Sequence, residues 1–425
     1  MNIKQCLVSN SKSAAIWKTA LVILLIIFAV LIFRHPGMQG VNWTFPYFSG
    51  AANFKSLYDW RISPSDFDRV SKMDAAEYLS YRHQSTDDTI TYVVNNYGYV
   101  LIALAARSIF PWMGDGNAVV LLQVIAHILI VLVILSFLCT TTQRLAFFIL
   151  YAVNPVVLYF VTFPFYYFWT VLPCFMLALV WLRGGKVGFW IVPIGLSLFL
   201  AFLIRPATLF VCLLVFAITF WKDRIIPPLI ALLLFIALAI NASSGVSNSP
   251  WHTIYVGVGA YKNPYGIELS DKSGFKYYKQ MTGQTITTNA ISGSFQDRAV
   301  RRHYLETVKK AYLYVLKDNP MLLARNAIFN TVEAFGFGYN VERPWVSLIS
   351  GLVGLCMIGF ICWTRQWVWG LGILTFAGAF TPYYPPIPAY LFGAYLFTAL
   401  IASRIVDDII KYFGLSKPDR SRDGL

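Results

Sequence analysis

Charge rarely interrupts the apolar runs of this chain. They cover residues 14–33, 117–139, 145–162, 166–182, 187–204, 206–221, 225–241, 345–363, 367–381 and 388–403. A helix needs roughly 17–25 apolar residues to cross hydrocarbon, so several runs lie at or just below the lower limit. Hydrocarbon offers no partner to a backbone amide, and a single apolar segment that satisfies its own backbone there is a helix. The expected fold is all-α and integral to a membrane, with about ten transmembrane helices. Composition agrees: 57% of residues are hydrophobic and only 13% charged, whereas soluble domains carry about 25% charged residues.

Sidedness follows from the short connections. Residues 140–144, 183–186, 222–224 and 364–366 each carry Lys or Arg, and basic short loops stay in the cytoplasm. Lys4 and Lys12 precede the first run and Lys18 lies near its start; the run has no small-residue cleavage site after it and reads as an anchor rather than a signal peptide. If the apolar stretch 97–112 (YGYVLIALAARSIFPW) also crossed, all four basic loops would face outward. It is therefore expected to lie along the outer surface or to re-enter from it.

The resulting map has a cytoplasmic N-terminus and first span (1–33), an extracytoplasmic loop (34–116) and a bundle (117–241). A second extracytoplasmic loop with amphipathic interfacial helices (242–344), C-terminal spans (345–403) and a cytoplasmic tail (404–425) follow. The net charge of +14 belongs to this topology, since no basic run is interleaved with aromatics as nucleic-acid binding requires. The six cysteines lie in or beside apolar runs or near the N-terminus, with no metal-ligand spacing.

Candidate chemistry lies at the outer loops. The first loop gathers carboxylates. Asp66, Asp68, Asp74 and Glu77 fit helix starts and turns. Asp59, flanked by aromatics in SLYDW, and the pair Asp87–Asp88 are the candidate bases. Arg205, in FLIRPATL, joins two apolar runs at the outer face. It reads either as a snorkelling helix-end residue or as a guanidinium holding a lipid phosphate by its bidentate fork.

The second loop opens with SNSPWHTIYVGVGAYKNPYG, residues 247–266. Trp251, Tyr255 and Tyr261 could simply be interfacial anchors. Gly257, Gly259 and Gly266 point to a backbone that approaches something closely. With His252 the stretch could cradle a sugar on a phosphate. Apolar positions at helical spacing then predict a helix over 297–318, stopped by Asn319–Pro320. Its Arg301 and Arg302 are candidates for donor phosphate or for anionic headgroups.

GVNWTFPYFSGAANFKSLYDW and NNYGYVLIALAARSIF, placed after a first span, resemble the first outer loop of GT-C integral-membrane glycosyltransferases. That superfamily includes the protein O-mannosyltransferases and aminoarabinose transferases. The resemblance implies inverting sugar transfer from a polyprenyl-phosphate donor to a glycan, lipid or protein acceptor outside the cytoplasm. It also implies a carboxylate general base, with no organic cofactor. The corresponding branch has an acidic residue early in this loop where this chain has Asn42, which leaves Asp59 or the Asp87–Asp88 pair as the base. No His/Asp ligand set calls for a metal. Rival expectations are a polysaccharide polymerase or ligase with a lipid pyrophosphate donor, a lipid-linked substrate transporter or flippase, and a structural assembly factor.

Overall fold

The computed structural model describes residues 23–24, 26–27, 41–55, 61–91, 96–184, 191–222, 236, 250–286 and 298–414. The runs 14–33 and 225–241, and with them any account of those two spans, lie almost wholly outside the described residues. So does Asp59.

The first loop opens with helix α1 (Val41–Ala52) and a two-residue antiparallel ladder, β1 (Arg61–Ile62) with β2 (Ile90–Thr91). Between the strands sit α2 (Pro64–Val70) and α3 (Ala75–Ser80). Ser63 caps α2 through its hydroxyl. Asp74 and Glu77 form a reciprocal capping box on α3, which satisfies the amides that a helix start leaves open.

Helix α4 (Tyr97–Ile109) and helix α5 (Asp115–Phe137) follow. A buried charge network ties them to the first loop. Asp115 accepts from the His83 amide at 2.8 Å and from Arg107 at 2.8 and 2.9 Å, and lies 3.1 Å from His83 Nδ1. His83 Nε2 faces Asp66 Oδ2 at 4.0 Å, and Tyr81 donates to the other Asp66 oxygen at 2.6 Å.

The run 145–162 is not one straight helix. Helix α6 (Thr141–Phe147) passes into a π-helical turn (Phe148–Ala152), and α7 (Pro155–Thr162) continues after a break, with a bend of 51°. Pro155 lacks an amide hydrogen and occupies the first turn of α7, where none is needed. Helices α8 (Val171–Leu182), α9 (Ile191–Ile204) and α10 (Leu209–Lys222) complete this part of the bundle.

In the second loop, α11 (Trp251–Gly257), α12 (Asp271–Thr282), α13 (Arg298–Asp318) and α14 (Pro320–Ala334) enclose a small core of their own, including Tyr255, Tyr278, Tyr304 and Val308. Asn319 ends α13 and caps α14, as the Asn–Pro pair foretold. Helices α15 (Pro344–Thr364) and α16 (Trp367–Ala377) return to the bundle, and α17 (Pro388–Tyr412) closes it. The stretch from Arg404, read from sequence as a polar tail, is instead helical to Tyr412. Arg404 pairs with Asp408, Lys411 with Asp407, and Asp407 also accepts from Thr140 at 2.8 Å.

Among the described residues the fold is mostly helical, and the short ladder is its only strand pairing. Three described helices, α5, α15 and α17, are long and apolar enough to cross a membrane, and the bent pair α6–α7 would make a fourth. Five others are apolar but shorter. That set is compatible with a membrane protein, the shorter helices fitting where the bilayer thins locally, and ten spans are not shown among the described residues.

The bundle has two distinct ends. At one, the turns after α5, α8 and α15 and the last turns of α17 line a single cavity that includes Cys139, Trp181, Arg365 and Arg404. At the other lie Arg205, residues 163–170, residues 378–387 and the described parts of the long loops that pack on them, through Tyr47 and Gly257. Helix α4 has both ends at this second level: Gly98 packs directly on the Leu203–Ile204 backbone, and Arg107 pairs with Asp115 at the start of α5.

Candidate functional site: an arginine in a tyrosine shell

Arg205 follows α9 in an extended conformation (φ −152°), because Pro206 starts a new turn immediately after it. Its guanidinium carbon lies 4.3 Å from the Tyr390 ring centre and 6.0 Å from that of Tyr166. Among the described residues it has no ion pair, and its Nη1 is buried without a hydrogen-bond partner. A cation over an aromatic face gains roughly 0.5–2 kcal/mol. That stabilises the charge but leaves the donor fork of the guanidinium unfilled.

Distant parts of the chain build the shell. Tyr166 packs edge-to-face at 6.4 Å against Tyr47 and Tyr99, which belong to α1 and α4. Tyr390 lies 6.1 Å from Tyr167 and 5.3 Å from Tyr384. Burial raises the phenol pKa of Tyr383, and the charge of Arg205 opposes that rise. The segment Tyr383–Ile387 stays non-helical because Pro385 and Pro386 donate no hydrogen bond. It serves as a dock: Tyr339 donates its amide to Pro386 at 2.9 Å.

The aromatic–glycine stretch packs against this dock. The close approach expected of its glycines is to the chain itself. A Cβ on Gly257 would collide with the Tyr383 carbonyl, and one on Gly259 with the Glu268–Leu269 backbone, while Gly266 turns the chain at φ +64°. His252 is engaged at both ring nitrogens, with Tyr304 at Nδ1 and with Asp271 at Nε2, 3.0 Å away. Phe275 stacks on it at 5.5 Å. Tyr255 is buried in the core of the second loop, and Trp251 sits against Tyr312 with Lys309 over its ring.

Tyr261 donates to Asn330 at 3.0 Å and lies against the Glu333 carboxyl. Glu333 is 6% exposed, and its Oε2 has no hydrogen-bond partner. Burial pushes its pKa up to about 7, with the Tyr261 hydroxyl partly opposing.

The other sequence candidates lie elsewhere. Asp88 holds the start of α2, accepting from Ser63 Oγ and the Ser65 amide at 2.8 Å each. Hydrogen bonds from Thr86, Ser65 and Ser63 keep its carboxyl far below the usual range. Asp87 is exposed beside it. Arg302 is exposed on α13 and lines a surface groove with His303 and Glu306, and Arg301 precedes it on the same helix. None of these four contacts the tyrosine shell among the described residues.

Sequence reasoning singled out Arg205 and His252 but passed over Asp271, Glu333 and the tyrosines. The doublets FYYF at 165–168 and PYYPP at 382–386 were the available signal. Among the described residues no group of three or more His, Cys, Asp or Glu side chains is arranged to hold a metal ion. No family model, no curated protein and no solved structure matches this chain.

Proposed function

We propose that this chain is an integral-membrane glycosyltransferase of the GT-C type. It takes a sugar from a polyprenyl-phosphate donor and passes it to a glycan, lipid or protein hydroxyl on the non-cytoplasmic side of the cell membrane. The observation that carries the reading is Arg205: a guanidinium held at the loop-bearing end of the bundle that, among the described residues, has no carboxylate partner and a buried donor nitrogen without a hydrogen bond. An unpartnered buried donor costs about 1–3 kcal/mol, and a phosphate oxygen would remove that cost with a charge-assisted bond.

One guanidinium matches the single negative charge of a sugar phosphodiester, which favours a monophosphate over a pyrophosphate donor. As the bond from the anomeric carbon to phosphate breaks, the leaving phosphate gains charge. A fixed cation in a water-poor shell stabilises that charge more than it stabilises the bound donor. The rings around it supply flat apolar faces of the kind that pack on sugars. Gln123 and His127, the polar residues midway along α5, both engage backbone carbonyls of the neighbouring segment, which gives these intramembrane polar groups a structural role.

The test is carrier release. Protein in nanodiscs is offered a panel of polyprenyl-phosphate sugars and, separately, polyprenyl-pyrophosphate oligosaccharides. Wild-type protein is expected to release polyprenyl monophosphate from one member of the first set. Arg205→Ala should lower kcat/KM by roughly 10²–10³-fold, the usual loss for one transition-state donor, and Arg205→Lys should recover part of it. Turnover confined to the pyrophosphate set would replace the reading with that of a polymerase or ligase.

A further inference from the structure

We infer that Asp271, positioned by His252 and Tyr304, is the carboxylate that takes the proton from the acceptor hydroxyl. This rests on the glycosyl-transfer reading and moves the base from the first outer loop to the second.

The geometry begins at Tyr304. Its hydroxyl is buried at 1% exposure, and burial raises its pKa, so the phenol keeps its proton. A carboxylate only accepts, so the 3.0 Å contact of His252 Nε2 with Asp271 requires the proton on Nε2. With that proton on Nε2, Nδ1 is the acceptor for the Tyr304 hydroxyl. The chain runs one way: Tyr304 O–H to Nδ1, then Nε2–H to Asp271 Oδ1. Phe275 stacks on the ring, and Gly274 leaves the space that the Tyr304–His252 contact occupies. One oxygen of Asp271 is thereby fixed, while the carboxylate remains 79% exposed. Among the carboxylates of the described loops it combines a built support with access.

Its location completes the case. Tyr384 packs against the second-loop core that contains Tyr304, its ring lies 5.3 Å from that of Tyr390, and Arg205 lies on Tyr390. The support of Asp271 and the guanidinium are thus linked through two adjoining tyrosines, and among the described residues the two charges do not pair. Inverting transfer asks for that separation. The acceptor oxygen forms its bond to the anomeric carbon as its proton passes to Asp271. The bond from that carbon to the phosphate oxygen breaks with its electron pair, and Arg205 receives the phosphate charge.

The charged and titratable groups that bear on Asp271 are His252, Tyr304, Tyr384 and Tyr390. The hydrogen bond from His252 holds its carboxyl below the usual value.

Binding and turnover separate this inference from the reading beneath it. A short-chain polyprenyl monophosphate is titrated against wild-type, Asp271→Asn and Arg205→Ala protein in nanodiscs, and turnover is measured with the sugar donor that wild type uses. Asp271→Asn is expected to bind the lipid phosphate at least as tightly as wild type, since a like charge is gone, and to lose turnover by roughly 10²–10⁴-fold. Arg205→Ala should lose binding. His252→Asn should shift the acid limb of the kcat/KM profile upward, a change that loss of packing alone would not produce. Asp271→Asn with wild-type turnover, or an unmoved acid limb in His252→Asn, overturns the assignment of Asp271 and leaves Arg205 untouched. Wild-type protein that neither binds the probe nor turns over any donor overturns both.

Discussion

A carboxyl that no water reaches behaves differently from one in a loop, and Glu333 is the clearest case. It sits where α14 meets α15, with Oε2 unpartnered, and its pKa is raised from 4.5 to about 7. The folded state therefore holds its proton more tightly than the unfolded chain. The stability that this confers is complete below pH 4.5 and is lost as pH rises through about 7. Glu333→Gln removes the ionisable group and keeps the shape. At pH 8 the variant should be more stable than wild type by about 1–3 kcal/mol, and near pH 4.5 the two should coincide. Thermal melts in detergent across that range measure the difference, and a constant offset would mean the carboxyl is hydrated. Arg205 was legible in the sequence for the same reason that Glu333 matters: a charge among apolar neighbours is costly enough to demand an explanation. Asp271 was not. It lies in a polar stretch where nothing local distinguishes it, and its partners His252 and Tyr304 come from other helices.

Elements declare themselves when their signals are local. The Asp74–Glu77 capping box and the Asn319–Pro320 stop could be read directly, because each works over three or four residues. The break inside 145–162 could not, although Asn154–Pro155 stands in plain view. A proline within an apolar run can kink a span or end one, and the choice depends on who satisfies the freed carbonyls. Helix α5 provides the partners. One turn apart on one face, Gln123 donates to Val161 and Phe163 at 2.8 and 2.9 Å, and His127 donates to Ala152 at 3.1 Å. Gln123→Leu keeps the apolar bulk but leaves two buried carbonyls without their donor. A destabilisation of about 1–3 kcal/mol is expected, measured as a lower melting temperature. Gln123→Glu should be worse, since it replaces the donor with an acceptor facing two carbonyls. If Gln123→Leu melts with wild type, water has taken over the carbonyls and the bend does not depend on α5.

At the scale of the molecule, sorting by ends makes the rest intelligible. The basic turns after α5, α8 and α15 gather with the last turns of α17 around one cavity. Arg205, the tyrosine shell and both loop modules gather at the opposite end. Both ends of helix α4 lie at that second end. The loop charges of the sequence raised the expectation of alternating sides, but nothing in it announced that Tyr47 would pack on Tyr166 or that Arg205 would lie by Tyr166 and Tyr390, because aromatic packing across hundreds of residues leaves no periodic trace. The arrangement yields a labelling prediction in which each position is exposed and lies outside the apolar helices. On a background lacking the native cysteines, Lys272→Cys should react with a membrane-impermeant maleimide added to intact spheroplasts. Arg365→Cys should react only after the membrane is permeabilised, since basic turns remain on the cytoplasmic side. Asp87→Cys should label with Lys272→Cys, because both loop modules open on one face. Should Lys272→Cys and Asp87→Cys label from opposite sides, no cleft could hold a lipid phosphate between the loops, and Arg205 would be an interfacial anchor in an otherwise structural shell.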